Sequence, residues 1–285
     1  MGNNSNKEHP DKYREIVEGL RNNKFKKIMF ITGAGISTAA GIPDFRSKEG
    51  CFAQVQKKYN LSYPEQLFQI SSFKKNPKPF YDFCKGFNID NCKPTKTHLF
   101  MGYLCHKKIL KKIYTQNVDG LELKAGVPES KIVFAHGKIT EAACPTCKMG
   151  YDINILRDEY VMKDKIMYCN YCRTPIKPKV IFYGECLPCS FLLNFICIFN
   201  CDLAFIIGSS LKVFPFNSLP GKLPNSAWRV FVNKEIVYNI FNFNDNYSKD
   251  LFLKGYSDEI IEKLVSDVGW ENDFHNYCEN ILNNL

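Results

Sequence analysis

Two Cys-x-x-Cys pairs are the residues whose spacing most directly predicts chemistry. The pairs are Cys144 with Cys147 and Cys169 with Cys172, and residues 148–168 separate them. Four thiolates from two such turns can enclose one tetrahedral Zn²⁺ and leave no coordination position for a substrate. The sequence therefore predicts a structural zinc site, which stabilises a fold and does not activate water.

The remaining cysteines do not complete a second metal site. Cys186 and Cys189 form a third pair, but apolar residues flank it and no fourth pair accompanies it. This third pair could instead replace one of the two zinc-binding pairs or take part in redox chemistry. We expect it, like Cys84, Cys105 and Cys197, to consist of small core side chains. The chain holds 13 cysteines and starts without the apolar segment of a secretory signal. We therefore expect a reducing compartment, the cytoplasm or the nucleus, and no disulfide framework.

A segment rich in glycine and alanine, residues 33–47, could hold a phosphate. It follows an apolar run, residues 27–32, whose pattern predicts a short buried strand. Gly33 and Gly35 allow a tight turn, and the small residues after them would open a helix whose first N–H groups face a bound anion. The dinucleotide fingerprint Gly-x-Gly-x-x-Gly is incomplete, because Thr38 stands at its third glycine position. Tight packing of strand and helix is therefore an alternative interpretation.

The same segment continues with reactive side chains. Asp44, Phe45 and Arg46 place an acid, an aromatic ring and a guanidinium just beyond the expected phosphate site. The segment as a whole predicts a nucleotide site with reactive groups beside it.

Polar residues follow four further apolar runs at the point where each run ends. Because the carboxyl ends of parallel strands form the ligand-binding edge of an open α/β sheet, these residues predict one binding crevice. A histidine beside a glycine is more often structural. A catalytic role for His136 is nevertheless favoured, because it lies opposite an Asn and an Asp at this edge. The runs are residues 111–115, 131–135, 203–207 and 229–232, and the polar residues after them are Gln116, Asn117, Asp119, His136, Gly208, Ser209, Ser210, Asn233, Lys234 and Glu235.

Composition bounds the class of protein. With 285 residues the chain can form one large domain or two smaller ones. Its most apolar stretch, residues 191–208, is interrupted by Asn194, Asn200 and Asp202, so it predicts a helix and a buried strand and not a membrane span. The formal net charge of +9 comes mostly from scattered lysines. Because the lysines are scattered, we expect an ordinary solvated surface and not a continuous basic surface that binds nucleic acid. The positive charge would still help to hold an anionic cofactor.

Taken together, these motifs resemble the sirtuins, the NAD-dependent protein-lysine deacylases of the silent-information-regulator type. The match covers about residues 25–270 in the family's order. Within the family the chain is most similar to the cytosolic histone and tubulin deacetylase branch, through residues 37–47 and 63–65. The matching segments are residues 33–37, 43–46, 115–119, 136–137, the four zinc cysteines, 177–185, 208–213 and 233–234.

The resemblance implies an α/β fold in which a Rossmann-like parallel-sheet domain carries an inserted small domain. The Rossmann-like domain would comprise residues 25–47, 110–137 and 179–270, after an N-terminal arm of residues 1–24 and before a C-terminal tail of residues 271–285. The small domain would consist of a helical module, residues 48–109, and a zinc-binding module, residues 138–178.

The resemblance also implies NAD as a consumed co-substrate. His136 would act as general base on a ribose hydroxyl, and Asn117 would orient the ribose and a water molecule. Nicotinamide would leave, and the acyl group of a modified lysine would pass to ADP-ribose. The residues implied in NAD binding are Gly33, Ala34, Gly35, Ile36, Ser37, Thr38, Asp44, Phe45, Arg46, Gln116, Asn117, Val118, Asp119, Gly208, Ser209, Ser210, Asn233, Lys234, Glu235 and Ser257.

The resemblance further implies that a cleft between the two domains takes NAD from one side and an acyl-lysine protein from the other. We expect that protein to be of histone or cytoskeletal type, and we expect no specific nucleic acid and no membrane as partners. The peptide would add a strand to residues 180–185 and to the loop near residues 213–216. Sirtuins that remove acidic acyl groups carry a Tyr-x-x-Arg pair, whereas Cys84 follows Tyr81 at that spacing here. A buried acidic group would lack its partner, so acetyl or a longer apolar acyl group is expected. The implied peptide-binding residues are Val180, Ile181, Phe182, Tyr183, Gly184, Glu185, Val213 and Phe214.

Three other functions compete with deacylation. Mono-ADP-ribosyl transfer to protein would use the same co-substrate and site. A Rossmann-type dehydrogenase is disfavoured by the incomplete glycine fingerprint and by the inserted zinc module. A zinc-bearing nucleic-acid binder would need clustered basic and aromatic residues, of which residues 162–173 offer only a few.

Overall fold

The computed structural model of the chain describes residues 10–42, 51–86, 91–236, 241–243, 245 and 247–285. The strands are β1 (Ile28–Thr32), β2 (Leu110–Thr115), β3 (Ile132–Phe134), β4 (Gly137–Ala143), β5 (Gly150–Tyr151), β6 (Lys177–Val180), β7 (Leu203–Ile207), β8 (Trp228–Asn233) and β9 (Asp250–Lys254). The helices are α1 (Pro10–Arg21), α2 (Cys51–Tyr59), α3 (Ile70–Lys75), α4 (Lys78–Lys85), α5 (Lys96–His106), α6 (Leu121–Lys124), α7 (Ile153–Ile155), α8 (Cys189–Asn194), α9 (Ser257–Val268) and α10 (Glu271–Asn283).

Six parallel strands form the main sheet in the order β3-β2-β1-β7-β8-β9. Every residue of β1 and of β7 is buried, which explains why both runs are apolar without alternation. The register pairs Phe30 with Ile113 of β2 on one side and with Phe205 of β7 on the other. The chain builds one half of the sheet outward from β1 and the other half outward from β7, so the strand order reverses between these two strands. The predicted Rossmann-like parallel sheet is confirmed.

Two apolar clusters cover the two faces of this sheet, and successive residues of β1 alternate between them. The first cluster contains Phe30 and is closed by α1, α5, α9 and α10, which contribute Leu20, Phe100 and Phe274 among others. The second contains Ile31 and is closed by α8 and the segments that follow β7. The sheet is therefore buried on both faces, as a doubly wound architecture requires.

A third apolar cluster, the aromatic cluster, lies beside the carboxyl edge of the main sheet. Phe73, Phe80 and Phe182 are buried in it, and their rings meet edge to face at 4.8–5.7 Å. The cluster also contains Cys144 and Cys169. Strands β5, β4 and β6 form a small antiparallel sheet next to it. The helices that follow residue 50 and the segment carrying the zinc cysteines thus share one core.

Three helices lie elsewhere than the predicted segment boundaries suggest. Residues 1–24 and 271–285 were expected to be an arm and a tail, but α1 and α10 pack in the first apolar cluster through side chains such as Leu20 and Phe274. Helix α5 falls in the predicted helical module, yet the ring of its Phe100 packs against Phe30 and Phe205 of the main sheet. The reason is burial, because each helix carries an apolar face that the sheet covers.

The helix predicted to open after Gly33 is not regular. Two 3-10 turns, Ala34–Ile36 and Thr38–Ala40, occupy its place. The N–H of Gly35 bonds to the carbonyl of Gly208 at 2.9 Å instead of to a preceding turn. Gly41 then adopts a left-handed conformation with φ of 80°, which ends the second turn.

The third cysteine pair is not part of the core, contrary to the prediction. Cys186 and Cys189 are both exposed, because the turn at Gly184 carries the chain to the surface before α8 begins. Cys84, Cys105 and Cys197 are partly buried and each packs against one of the three apolar clusters, as predicted.

Within the part of the chain that the structure describes, no helix has the length and apolar character needed to cross a bilayer.

Candidate active site

An open cavity of about 1020 Å³ lies where the carboxyl ends of β1, β2, β7 and β8 meet the aromatic cluster. This is the point at which the strand order reverses, where open α/β sheets bind their ligands. Predicted residues that line the cavity are Ala34, Gly35, Thr38, Gln116, Asn117, Val118, His136, Val180, Ile181, Phe182, Tyr183, Gly184, Glu185, Gly208, Ser209, Ser210, Val213, Phe214, Asn233, Lys234, Glu235 and Ser257.

Four further predicted residues, Gly33, Ile36, Ser37 and Asp119, are buried beneath the cavity floor. Asp44, Phe45 and Arg46 lie outside the described residues, and their roles in NAD binding remain predictions.

Three glycines bring the loop after β1 against the turn after β7. A Cβ atom on Gly35 would lie 2.6 Å from the Cα of Gly208, and one on Gly33 would lie 2.9 Å from the carbonyl oxygen of Gly208. Gly208 itself has φ of 63°, a conformation that favours glycine. The bare backbone at this junction leaves room for a ligand to approach the main chain closely.

Side chains at the strand ends hold one another in place. The hydroxyl of Ser209 donates to the Gln116 side chain at 2.6 Å and accepts from the N–H of Leu211 at 3.1 Å. The Asn233 side chain donates to the carbonyl of Ser209 at 3.2 Å. The ends of β2, β7 and β8 are therefore joined by polar contacts along the cavity wall.

A second network links the cavity to its buried floor. The Asn117 amide donates to the hydroxyl of Ser37 at 3.0 Å, and that hydroxyl donates to the Asp119 carboxylate at 2.8 Å. The other Asp119 oxygen accepts from the N–H of Leu121 at 3.0 Å. Asn117 is therefore oriented from below by Ser37, which is held in turn by Asp119.

His136 is half-buried in the cavity wall, at the end of β3. Its Nδ1 lies 3.1 Å from the carbonyl oxygen of Gln116. Because a carbonyl can only accept, the ring proton sits on Nδ1 and Nε2 keeps its lone pair. Burial lowers the pKa of His136, and the bond to Gln116 offsets this effect only in part. The imidazole is thus a neutral base at neutral pH.

Residues 180–185 line the cavity beside His136. The N–H of Ile181 donates to the carbonyl of His136 at 2.8 Å, which fixes this segment against the end of β3. Lys177 and Glu185 form a buried ion pair at 2.9 Å, and the Glu185 carboxylate also accepts from the N–H of Phe182. Burial lowers the pKa of Lys177 while Glu185 acts against that shift. The predicted peptide-binding segment is therefore held in a fixed curve.

Sequence reasoning missed the part of the cavity that the aromatic cluster provides. The cavity residues of the aromatic cluster lie on short helices and 3-10 turns and belong to no recognisable motif. The only signal for them in the sequence is the high frequency of phenylalanine between residues 68 and 83. Tyr256 was also missed, although it adjoins Ser257 and its ring lies 4.2 Å from the ammonium of Lys234. The missed lining residues are Gln56, Glu65, Phe68, Phe80, Phe83, Ile139, Leu187, Pro215, Val232, Gly255 and Tyr256.

The four predicted zinc cysteines come together outside the cavity. The sulfurs of Cys144 and Cys172 are 3.3 Å apart, and those of Cys147 and Cys169 are 3.6 Å apart. A tetrahedral site with Zn–S bonds of about 2.3 Å places its sulfurs roughly 3.8 Å apart. All four cysteines are free thiols, and their donor set fits structural Zn²⁺.

Fold and site define a zinc-bearing α/β enzyme with a nucleotide-binding crevice, and comparison with known proteins identifies its family. The model of the Sir2 family matches residues 33–215. The NAD-dependent protein deacetylase hst2 of Schizosaccharomyces pombe is 37% identical over 273 residues, which cover 95% of this chain and 80% of that protein. The NAD-dependent protein deacetylase sirtuin-3 of Mus musculus is 36% identical over 274 residues, covering 96% and 81%. The NAD-dependent protein deacetylase sirtuin-2 of Danio rerio is 39% identical over 275 residues, covering 90% and 72%.

The chain therefore belongs to the Sir2 family. The predicted sirtuin resemblance, the enzyme class, the NAD co-substrate and the structural zinc are confirmed.

The residues of this chain fit NAD. The glycine junction leaves the backbone uncovered by side chains, so a dinucleotide can approach it closely. One continuous cavity runs from that junction past Asn233 and Ser257 on one side and to Asn117 and His136 on the other. The cavity is therefore long enough for an extended dinucleotide to contact both His136 and the ends of the strands.

Proposed function

We propose that this chain is an NAD-dependent protein-lysine deacylase that transfers the acyl group to ADP-ribose and prefers apolar acyl groups. NAD-dependent protein deacetylation is the activity named for its relatives. The observation that carries the proposal is the single cavity, in which a neutral histidine, the glycine junction and the curved segment 180–185 face one another.

Each part of the cavity has a task in this reaction. NAD, when bound, supplies an electrophilic ribose carbon with nicotinamide as its leaving group. Nε2 of His136 accepts a proton from a ribose hydroxyl, since Nδ1 is committed to the carbonyl of Gln116. Asn117, fixed by Ser37, orients the ribose. Residues 180–185 present an extended backbone to which the substrate peptide adds as a strand.

The acyl preference rests on the end of the cavity that the aromatic cluster lines. Phe68, Phe80 and Phe83 line it together with Ile139, and they offer an apolar surface to a chain longer than acetyl. Tyr81 does not point into the cavity, because it is 2% exposed and its hydroxyl donates to the carbonyl of Ile176 at 2.7 Å. An acidic acyl group would be buried there against aromatic rings, which is unfavourable without a charged partner.

The acyl-lysine substrates are proposed to be proteins of histone or cytoskeletal type, met in the cytoplasm or the nucleus. The support is that the relatives hst2 and sirtuin-2 are named as protein deacetylases.

The test is mass spectrometry of acetyl-, myristoyl- and succinyl-lysine peptides incubated with the protein, with and without NAD. We expect NAD-dependent loss of acetyl and myristoyl, matched by O-acyl-ADP-ribose, and little loss of succinyl. His136→Ala should abolish turnover. His275→Ala is the matched control, because His275 is exposed on α10 and pairs only with Glu279 among the described residues.

Other outcomes would redirect or overturn the proposal. Nicotinamide release with every peptide intact would indicate ADP-ribosyl transfer or NAD hydrolysis. Removal of succinyl as readily as of acetyl would contradict the acyl preference alone.

A further inference from the structure

Cys186 and Cys189 form an exposed cysteine pair that the proposed reaction does not use. Among the cysteines that the structure describes outside the zinc site, these two alone are exposed. Neither of them belongs to the four-cysteine cluster. Leu187 and Pro188, which lie between them, are partly buried. The chain therefore presents two neighbouring thiols to solvent, in the Cys-x-x-Cys spacing that favours a single disulfide.

The cysteine pair adjoins the cavity. Leu187, which lies between the two cysteines, lines the cavity, and so does Glu185 immediately before them. Leu187 also packs against the second apolar cluster. The predicted peptide-binding segment, residues 180–185, ends directly before Cys186. A change of backbone between the two cysteines would therefore move a side chain of the cavity wall.

Both ends of the segment 186–189 are held in place. On the side of the cavity, the N–H of Tyr183 donates to the carbonyl of Phe68 at 2.7 Å, and the N–H of Ile70 donates to the carbonyl of Tyr183 at 3.1 Å. On the side of α8, Phe191 is 1% exposed and belongs to the second apolar cluster. Rearrangement is therefore confined to the few residues between these two anchors.

The backbone between the anchors has few contacts that oppose such a rearrangement. Neither Cys186 nor Leu187 hydrogen-bonds to another residue that the structure describes. Pro188 is extended, with φ of −58° and ψ of 141°, and a residue before proline favours extended backbone as well. Two extended residues separate the flanking Cα atoms by up to about 10 Å, whereas a disulfide requires about 7 Å or less. Formation of the disulfide therefore requires a tighter backbone fold at Leu187 and Pro188.

We propose that Cys186 and Cys189 are a redox site, which a low-molecular-weight disulfide such as glutathione disulfide oxidises to an intramolecular disulfide. Closure of this bond moves Leu187 and weakens the binding of the acyl-lysine peptide. The effect on peptide binding rests on the proposed function, whereas formation of the disulfide is independent of it.

The oxidation consists of two exchange steps. The thiolate of one cysteine attacks a sulfur of the small disulfide, so that a mixed S–S bond forms and one small thiolate leaves. The thiolate of the other cysteine then attacks the protein sulfur of the mixed disulfide and releases the second small thiolate. The cysteine pair loses two electrons and the small disulfide gains them. The two thiol protons of the pair are taken up by the released small thiols.

The direct test is peptide mapping by mass spectrometry after incubation of the zinc-loaded protein with glutathione disulfide and alkylation of the remaining thiols. We expect one peptide in which Cys186 and Cys189 are joined and unlabelled, while the zinc content equals that of the untreated protein. Cys186→Ser and Cys189→Ser should each stop at the mixed disulfide with glutathione. Two alkylated cysteines, or two separate mixed disulfides, in the wild type would overturn the proposal.

Steady-state kinetics tests the link between the disulfide and the cavity. Oxidation of the wild type should raise KM for an acetyl-lysine peptide about fivefold, since Leu187 loses part of its apolar contact with the ligand. KM for NAD should stay within about twofold, because its predicted binding residues lie outside 186–189. Dithiothreitol should reverse the change. An unchanged KM for the peptide in protein that carries the disulfide would overturn the link.

The matched control is the double variant Cys186→Ser/Cys189→Ser, which keeps the four zinc cysteines. Its KM for the peptide should equal that of the reduced wild type before and after the same treatment. An equal loss in this variant would assign the effect to other cysteines and contradict the proposal. If no protein turns over any peptide, the proposed function fails, and peptide mapping still decides whether the redox site exists.

Metal analysis tests zinc as an alternative occupant of the pair. We expect the reduced wild type and the double variant to contain the same amount of zinc after dialysis. Additional zinc that only the wild type retains would overturn the proposal in favour of a metal site at Cys186 and Cys189.

Discussion

The base of the site is defined by one hydrogen bond and by burial. The carbonyl of Gln116 fixes the proton of His136 on Nδ1, and the low-polarity wall around the ring disfavours the charged form. A general base must be unprotonated to act, so the same contacts that orient the ring also keep it competent. Glu122 shows the reverse case, because burial there favours the protonated form of an acid.

The first prediction concerns the acid limb of the pH profile. Because the pKa of His136 is lowered from 6.5, the base stays neutral to a lower pH than an exposed histidine would. The plot of kcat/KM for the peptide should therefore bend downward only below pH 6.5, the ordinary value. His275→Ala should leave the bend in place. A downward bend that already begins above pH 6.5 would contradict this assignment.

Among the elements, the loop after β1 and the turn after β7 pack backbone against backbone. The N–H of Gly33 donates to the carbonyl of Ile207 at 3.1 Å, and that of Gly35 donates to the carbonyl of Gly208 at 2.9 Å. No side chain fits between them. The junction thus closes the sheet at its switch point and shapes the floor of the cavity.

The second prediction is that Gly35→Ala destabilises this junction. The new Cβ would lie 2.6 Å from the Cα of Gly208, and backbone must move to relieve the contact. We expect a loss of about 1–3 kcal/mol in the free energy of unfolding, measured in urea, together with a raised KM for NAD. Gly221→Ala is the matched control, because nothing lies within 4 Å of its added Cβ. Equal free energies of unfolding for the two variants would show that the backbone at the junction can move apart without loss of stability.

Across the whole molecule, the four cysteines and the cavity wall share one core. Cys144 follows β4 directly, β4 pairs with β6, and β6 leads into residues 181–185. Cys144, Cys169 and Phe182 belong to the same apolar cluster. Zinc at the cysteines therefore stabilises residues 181–185 of the cavity wall, although the zinc site lies outside the cavity.

The third prediction follows from this shared core. Cys147→Ser should lower zinc content, measured by elemental analysis, and should lose most deacylase activity, since binding of structural zinc contributes to folding. The parallel sheet has its own apolar clusters and should keep its circular dichroism. Cys186→Ser, at an exposed cysteine outside the site, should change neither zinc content nor activity. Full activity of a zinc-free Cys147→Ser protein would show that the cavity wall does not depend on zinc.

Local sequence determined those features that depend on near neighbours in the chain. Cys144 and Cys147 share a turn, so their spacing alone predicts a metal site. The buried strands β1 and β7 are apolar at every position except Thr32, and the polar residues after them mark the edge where ligands bind. The zinc ligands and the polar residues at the strand ends could therefore be predicted from local patterns, whereas residues 180–185 and Ser257 were predicted only from the resemblance to the family.

Only the tertiary structure decided which distant residues meet. Phe68 and Phe83 gain their place in the cavity from the packing of short helices, and burial beside Asp119 raises the pKa of Glu122. The sequence likewise left open that Cys186 and Cys189 are exposed and that α10 closes the core. Burial and desolvation depend on the whole arrangement of the chain, and no local pattern of residue types specifies them.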